Sequence, residues 1–388
     1  ITARTLTVTA TGVDRTYDGT TTATVTLSTD KVGGDDVTVG ATSASFADKT
    51  VGIDKPVSVT GIAITGGDDA GNYVLGNTTA STIATITART LTVTATGVDR
   101  TYDGTTTATV TLSTDKVGGD DVTVGTTGAS FGSKTVGTDK PVSVSGISIT
   151  GGDDATNYTL GNATASTTAT ITARTLTVSD ATPTDRPYNG TTSVAITGAT
   201  LVNAVSGDEV TLADADTGTI ATASVGTDKP VTTAFTITGA DTGNYALVQP
   251  TDLTVDITQA ATTVTITCPP SVVYSGAAQT PCTASVTGAG GLDEALIVSY
   301  GPNTNVGTVN VSASYAGTSD YAADTDSTSF DITAKTLTVT ATGVDRTYDG
   351  TTTATVTLST DKVGGDDVRS EEHTSELQSH LNLVCRLL

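Results

Sequence analysis

Ile-Thr-Ala-Arg-Thr-Leu-Thr-Val occupies residues 1–8, and the same eight residues return at 86–93, then with the same start at Ile171. A worn copy begins at Ile257, and Ile332 opens the string again with Lys335 in the place of arginine. The starts are 85, 85, 86 and 75 residues apart. Residues 1–85 and 86–170 agree at 74 of 85 positions, with no difference in the first 40. Residues 332–368 match 1–37 except at Lys335. A fixed long period of this kind marks a tandem array of small folding units, not one globular enzyme. The units read as 1–85, 86–170, a divergent third at 171–256, a different module at 257–331, and a truncated copy at 332–368.

Working outward from the repeated string, apolar residues alternate with threonine. Leu6, Val8 and Ala10 share one parity, and Ala23, Val25 and Leu27 do the same. A period of two places the apolar set on one face of a strand and leaves a Thr-rich face in water. Asp18-Gly19 and Gly76-Asn77 are turn signals between such runs. Val57 and Val59 lie on one parity and Ile62 and Ile64 on the other, so a bulge or a strand switch is expected at Gly61. No stretch of residues 1–331 carries a helical period. The fold class is therefore all-β, a tandem array of small Ig-like β-sandwich modules. The alternative is a β-grasp-like module, with one sheet packed on a short helix.

Composition agrees with that class and removes several functions. There are 92 threonines and 41 glycines, no Met or Trp, and 4% aromatic residues. The balance of 18 Lys+Arg against 41 Asp+Glu gives a net charge of -23, which repels phosphate backbones and anionic lipid. Nucleic acid is excluded as a partner on that ground. No apolar run approaches the roughly 18 residues of a membrane helix, so no membrane insertion is expected of this segment. With no initiator methionine, the chain is expected to be a fragment or a processed piece.

Tyr17-Asp18-Gly19, Tyr102-Asp103-Gly104 and Tyr348-Asp349-Gly350 recur at a fixed offset, with Tyr188-Asn189-Gly190 as a variant. With Val51-Gly52, Asp54-Lys55-Pro56 and Gly71-Asn72-Tyr73, they resemble the signature of the bacterial YDG domain. Residues 257–331 resemble the related MBG-type bacterial domain through Tyr274-Ser275-Gly276 and Asn305-Val306-Gly307-Thr308. The resemblance implies extracellular repeats of large bacterial surface proteins, adhesins of the filamentous-haemagglutinin kind, with no catalytic residues. The function it implies is a structural stalk that projects a binding domain lying outside this sequence. Its ligand, a glycan or a protein, would be met by that domain. The alternative is that the modules themselves bind glycan or host protein weakly and many times over.

The candidate sites are few. Residues 1–368 hold no histidine, which removes the commonest general base and the Ser-His-Asp and Cys-His systems. Their only glutamates, Glu209 and Glu294, lie in two modules at positions that the repeat does not superpose. No enzyme is expected. Cys268 and Cys282, 14 residues apart, flank the Tyr274-Ser275-Gly276 turn and read as a disulfide between neighbouring strands. Asp35-Asp36, Asp68-Asp69, Asp120-Asp121 and Asp153-Asp154 each follow Gly-Gly. Solvated turns explain them, and weak Ca²⁺ sites are the sharper alternative. No cofactor is expected otherwise. Tyr17, Tyr73 and their copies are expected to close one end of each sandwich, with the hydroxyl bonded to backbone. Lys55, Lys140 and Lys229 precede prolines, which predicts turns, and an isopeptide bond to asparagine is a remote alternative. Ice binding by the Thr-x-Thr runs is set aside, because an 85-residue period does not build flat threonine ladders.

After Val368 the pattern stops in mid-strand. Residues 369–379, Arg-Ser-Glu-Glu-His-Thr-Ser-Glu-Leu-Gln-Ser, are what a common short-read sequencing adapter encodes in frame. Residues 369–388, with both histidines and Cys385, are accordingly expected to be an artefact of cloning or assembly.

Overall fold

The structure, a computed structural model, describes residues 1–369, so the expectation for the tail lies almost wholly outside the described residues. The first repeat shows the plan. Its strands are β1 (Arg4–Leu6), β2 (Val8–Val13), β3 (Arg15–Thr16), β4 (Thr24–Thr29) and β5 (Thr38–Gly40). They continue with β6 (Ser43–Phe46), β7 (Gly52–Thr60), β8 (Ala63–Gly66), β9 (Tyr73–Leu75) and β10 (Thr79–Thr87). One sheet runs β3-β10-β7-β6, and β2 pairs antiparallel with β4. Two small pairs, β1 with β9 and β5 with β8, complete the repeat.

Alternation decides what faces inward. Val8 and Ala10 on β2 and Val25 and Leu27 on β4 meet Phe46, Val57, Val59, Ala84 and Ile86 of the larger sheet. Each fully buried Val, Ile or Phe contributes about 1.5–3 kcal/mol against exposure. The two layers close tightly: a Cβ added to Gly12 would lie 2.3 Å from the Ile83 carbonyl oxygen. Gly61, at φ +64, ends β7, and the chain crosses to pair β8 with β5, so the change of parity is a strand switch. Among the described residues the only helical pieces are four single 3-10 turns, and the class is all-β.

By packing, the chain forms two compact units. One holds Ile1–Thr177 with Leu201–Thr211 and Ile237–Val248 of the third repeat. The other holds Val178–Thr200, Leu212–Thr236 and, among the described residues, 249–369. The division runs through the third repeat and not between repeats, because the core of one repeat is completed by residues of the next. Leu91, Val122 and Tyr158 of the second repeat belong to the first repeat's core, and Leu176 and Tyr245 of the third belong to the second's.

In the other unit, the module at 257–331 has a sheet of Thr262–Thr267, Thr283–Gly288 and Leu292–Leu296. Its second sheet joins Ser271–Val273, Asp324–Thr333, Gly307–Tyr315 and Ser299–Tyr300. The truncated copy forms the Val339–Val344 and Thr355–Thr360 hairpin, and every residue of those two strands is exposed.

Candidate functional site

The Tyr-Asp-Gly signature is the donor half of a joint between successive repeats. Locally it is a turn held by its own side chains. The Tyr17 amide donates to the Thr87 carbonyl at the end of β10. Asp18 accepts from the Thr20 amide and hydroxyl, both at 2.9 Å, and pairs with Arg15, whose guanidinium lies over the Phe46 ring. The tyrosine is thereby aimed out of its own repeat. Its hydroxyl donates to Asp120 Oδ2 of the second repeat at 2.8 Å, and its ring meets Tyr158 edge-on at 5.5 Å. Tyr158 donates to the same carboxylate oxygen at 2.8 Å.

Lys49, from the loop before β7, donates to Asp120 Oδ1 at 2.8 Å and pairs with Asp154 at 3.1 Å. The Val51 amide donates to Asn157 Oδ1 at 3.0 Å. Gly19, at φ +81, receives Val117, whose Cγ1 lies 2.7 Å from where a Cβ would stand. The signature glycine is thus required twice, by its backbone angle and by its neighbour.

The second and third repeats are joined in the same way. Tyr102 donates to Asp208 at 2.7 Å and meets Tyr245 at 5.5 Å. Lys134 donates to Asp208 at 2.9 Å, the Val136 amide donates to Asn244 at 3.0 Å, and Val205 seats against Gly104.

Asp120 is only 5% exposed, and a buried carboxylate without partners would be costly. Burial pushes its pKa up, but hydrogen bonds from Lys49, Tyr158 and Tyr17 outweigh that and hold it below the ordinary value. Asp208 is held down by Tyr245, Lys134 and Tyr102 against the same burial. The tyrosines shift the other way. Burial, with the adjacent carboxylate, raises Tyr17 and pushes Tyr158 and Tyr245 up to about 12. The site therefore holds a carboxylate, an ammonium and two neutral phenols at neutral pH. It joins surfaces.

This corrects the expectation for Tyr17, whose hydroxyl bonds a carboxylate of the next repeat and not its own backbone. Tyr73 does accept from the Val32 amide, at 2.9 Å, and also donates to Asp35 at 2.6 Å. The remaining aspartates tie two loops of one repeat together. The Asp36 amide donates to Asp69 at 3.0 Å and the Asp68 amide to Asp36 at 3.3 Å. Asp121, Asp153 and Asp154 repeat the pattern at 3.1 and 3.3 Å. Among the described residues no three metal-capable side chains converge.

In the other unit Tyr188 meets Tyr321 edge-on at 5.2 Å, and the Val225 amide donates to Asp320 at 2.8 Å. Asn189 does the work of Asp18, accepting from the Thr191 amide and hydroxyl. Gly190 lies against Gly290. Tyr274 donates to Asp366 at 3.0 Å, Ser275 accepts from Gln279 at 2.6 Å, and Gly276 faces Val363. Tyr348 is 93% exposed, while Asp349 keeps its turn through Arg346 and Thr351 before Gly350. Cys268 and Cys282 are disulfide-bonded, with Cα atoms 4.3 Å apart, at facing ends of two paired strands. Lys55, Lys140 and Lys229 lie within strands and not in the expected turns; Lys55 binds Asp48 and Thr50, Lys140 binds Ser133 and Thr135, and Lys229 binds Thr222, with no asparagine among these partners.

Sequence reasoning missed Lys49, Lys134, Asn157 and Asn244. A signal was present. Lysine stands at 49 and 134, where the following repeat carries Gly119-Asp120-Asp121 or Gly207-Asp208-Glu209, and Ala223 takes its place where the following module has no Gly-Asp pair.

No curated protein matches this sequence. Among solved structures, EC1-4 of Drosophila N-cadherin is similar over 86% of this chain and 100% of that one, at 10% identity and a TM-score of 0.22. The YDG domain matches residues 2–82, 87–169 and 172–253, three successive copies over more than half of the chain, and the protein belongs to the YDG-domain family.

Proposed function

We propose that this chain is a non-catalytic stalk segment of a secreted or cell-surface bacterial adhesin, with residues 257–331 an MBG-type Ig-like domain set among YDG repeats. The stalk would hold a binding domain, for a glycan or a protein, away from the cell. The observation that carries this reading is the joint itself. The same tyrosine, lysine, aspartate and asparagine fix one repeat to the next at two successive boundaries. Such a joint restricts bending, as a spacer requires, and it consumes the most distinctive side chains of the repeat in structure. The acidic surface keeps a long array soluble and self-repelling.

Small-angle scattering of the whole chain tests the stalk. An elongated particle is expected, and a compact one would end the proposal. Binding of the chain to glycan or host-protein panels would favour instead a multivalent adhesive role for the repeats themselves.

A further inference from the structure

The acceptor half of the joint exists once more, uncovered, on the first repeat. Asp35, Asp69, Asn72 and Tyr73 stand where the second repeat has Asp120, Asp154, Asn157 and Tyr158. The set is already assembled. Tyr73 bonds Asp35 at 2.6 Å and the Val32 amide at 2.9 Å, where Tyr158 bonds Asp120 and the Val117 amide at 2.8 Å each. Asn72 donates to Asp69 at 3.4 Å, and Asn157 to Asp154 at 3.3 Å. Only the cover differs. Asn157 is buried and Asn72 exposed; Val117 is half-buried against Gly19, whereas Val32 is 47% exposed.

We propose that this face of the first repeat is a docking surface for the Tyr-Asp-Gly end of another YDG repeat, one bearing lysine at the position of Lys49. The chemistry of the face names its occupant. A protruding valine requires a partner position without a Cβ, which is the signature glycine. At the two internal copies the carboxylate receives a phenol donor and an ammonium, and the asparagine receives a strand-end amide. A YDG end supplies all of these from one loop pair. The inference rests on the geometry of the joint and stands whether or not the array is a stalk.

Hydrogen exchange read by mass spectrometry tests it, because residues 1–40 and 86–125 are identical in sequence and have the same intrinsic rates. Peptides running past Ala41 and Thr126 distinguish the two copies by mass. In the chain of residues 1–388, residues 30–37 should exchange roughly tenfold or more faster than 115–122. The whole chain is then extended before Ile1 by a further copy of residues 1–85, marked by Ala41→Ser. Protection of the original 30–37 should rise to the level of 115–122. Lys49→Ala in the added copy should undo part of that rise. Unchanged exchange at 30–37, beside an added copy whose own β7 and β10 are protected, overturns the proposal. If the added copy does not fold, Lys49→Ala in the unextended chain decides: it should speed exchange at 115–122 toward the rate of 30–37, and an unaltered rate there overturns the proposal equally.

Discussion

The joint after the first repeat and the joint after the third use one plan with different chemistry. Both set a signature tyrosine edge-on to a tyrosine of the following module, at 5.5 and 5.2 Å. Both spend a valine amide, Val51 or Val225, on a side-chain oxygen of that module. They part at the centre. The first joint buries Asp120 among two phenols and Lys49. The later one has Ala223 in the lysine's place and brings Gly190 against Gly290. Its following module is reinforced covalently instead, by Cys268–Cys282. Stacking and the amide bond are common to both joints, while the buried carboxylate cluster belongs to the first.

That contrast can be broken at either end. Asp208→Ala removes the hub of a buried cluster and leaves Tyr102, Tyr245 and Lys134 without their acceptor. The loss should be about 3 kcal/mol, read by denaturant unfolding, with exchange rates of residues 257–331 unchanged. Reduction of the disulfide should do the converse. It should cost about 2–3 kcal/mol in the module at 257–331 and leave residues 1–170 as they were. Tyr17→Phe deletes one hydrogen bond to a charged acceptor and keeps the ring contact, so about 1.5 kcal/mol is expected at the first joint.

The gentlest probe is pH. Asp120 and Asp208 have pKa values below the ordinary carboxylate value, so their contribution is complete above about pH 4, the unfolded value, and is lost as pH falls through the folded one. The tyrosines are raised, so their contribution is complete below about pH 10 and is lost as pH climbs toward their folded values. Protection at residues 115–122, taken as the exchange rate relative to the intrinsic rate at each pH, should therefore be greatest between those limits and fall on both sides. A flat profile would show that the carboxylate cluster adds nothing to the joint.

Much of the fold was legible in the sequence. The period marked out the repeats, the alternation at Leu6, Val8 and Ala10 placed the inward face, and Gly61 announced the strand switch. The joint was not legible, for a physical reason. Tyr17 and Asp120 lie 103 residues apart, and identical copies give no hint that one side of a repeat touches the other side of its neighbour. Val8 and Val339 show the same limit. They occupy equivalent places in nearly identical strings, yet one is 2% exposed and the other 39%. The strands that cover Val8 come from the second half of its repeat, and the truncated copy has no equivalent of them within residues 332–368.

Donor and acceptor halves of the joint both lie inside a single 85-residue period. Unequal exchange between near-identical copies of the coding sequence would therefore add or remove whole repeats while every remaining joint finds its proper counterpart. Length could vary from one lineage to the next in steps of one repeat, with no new surface to be invented and none left mismatched.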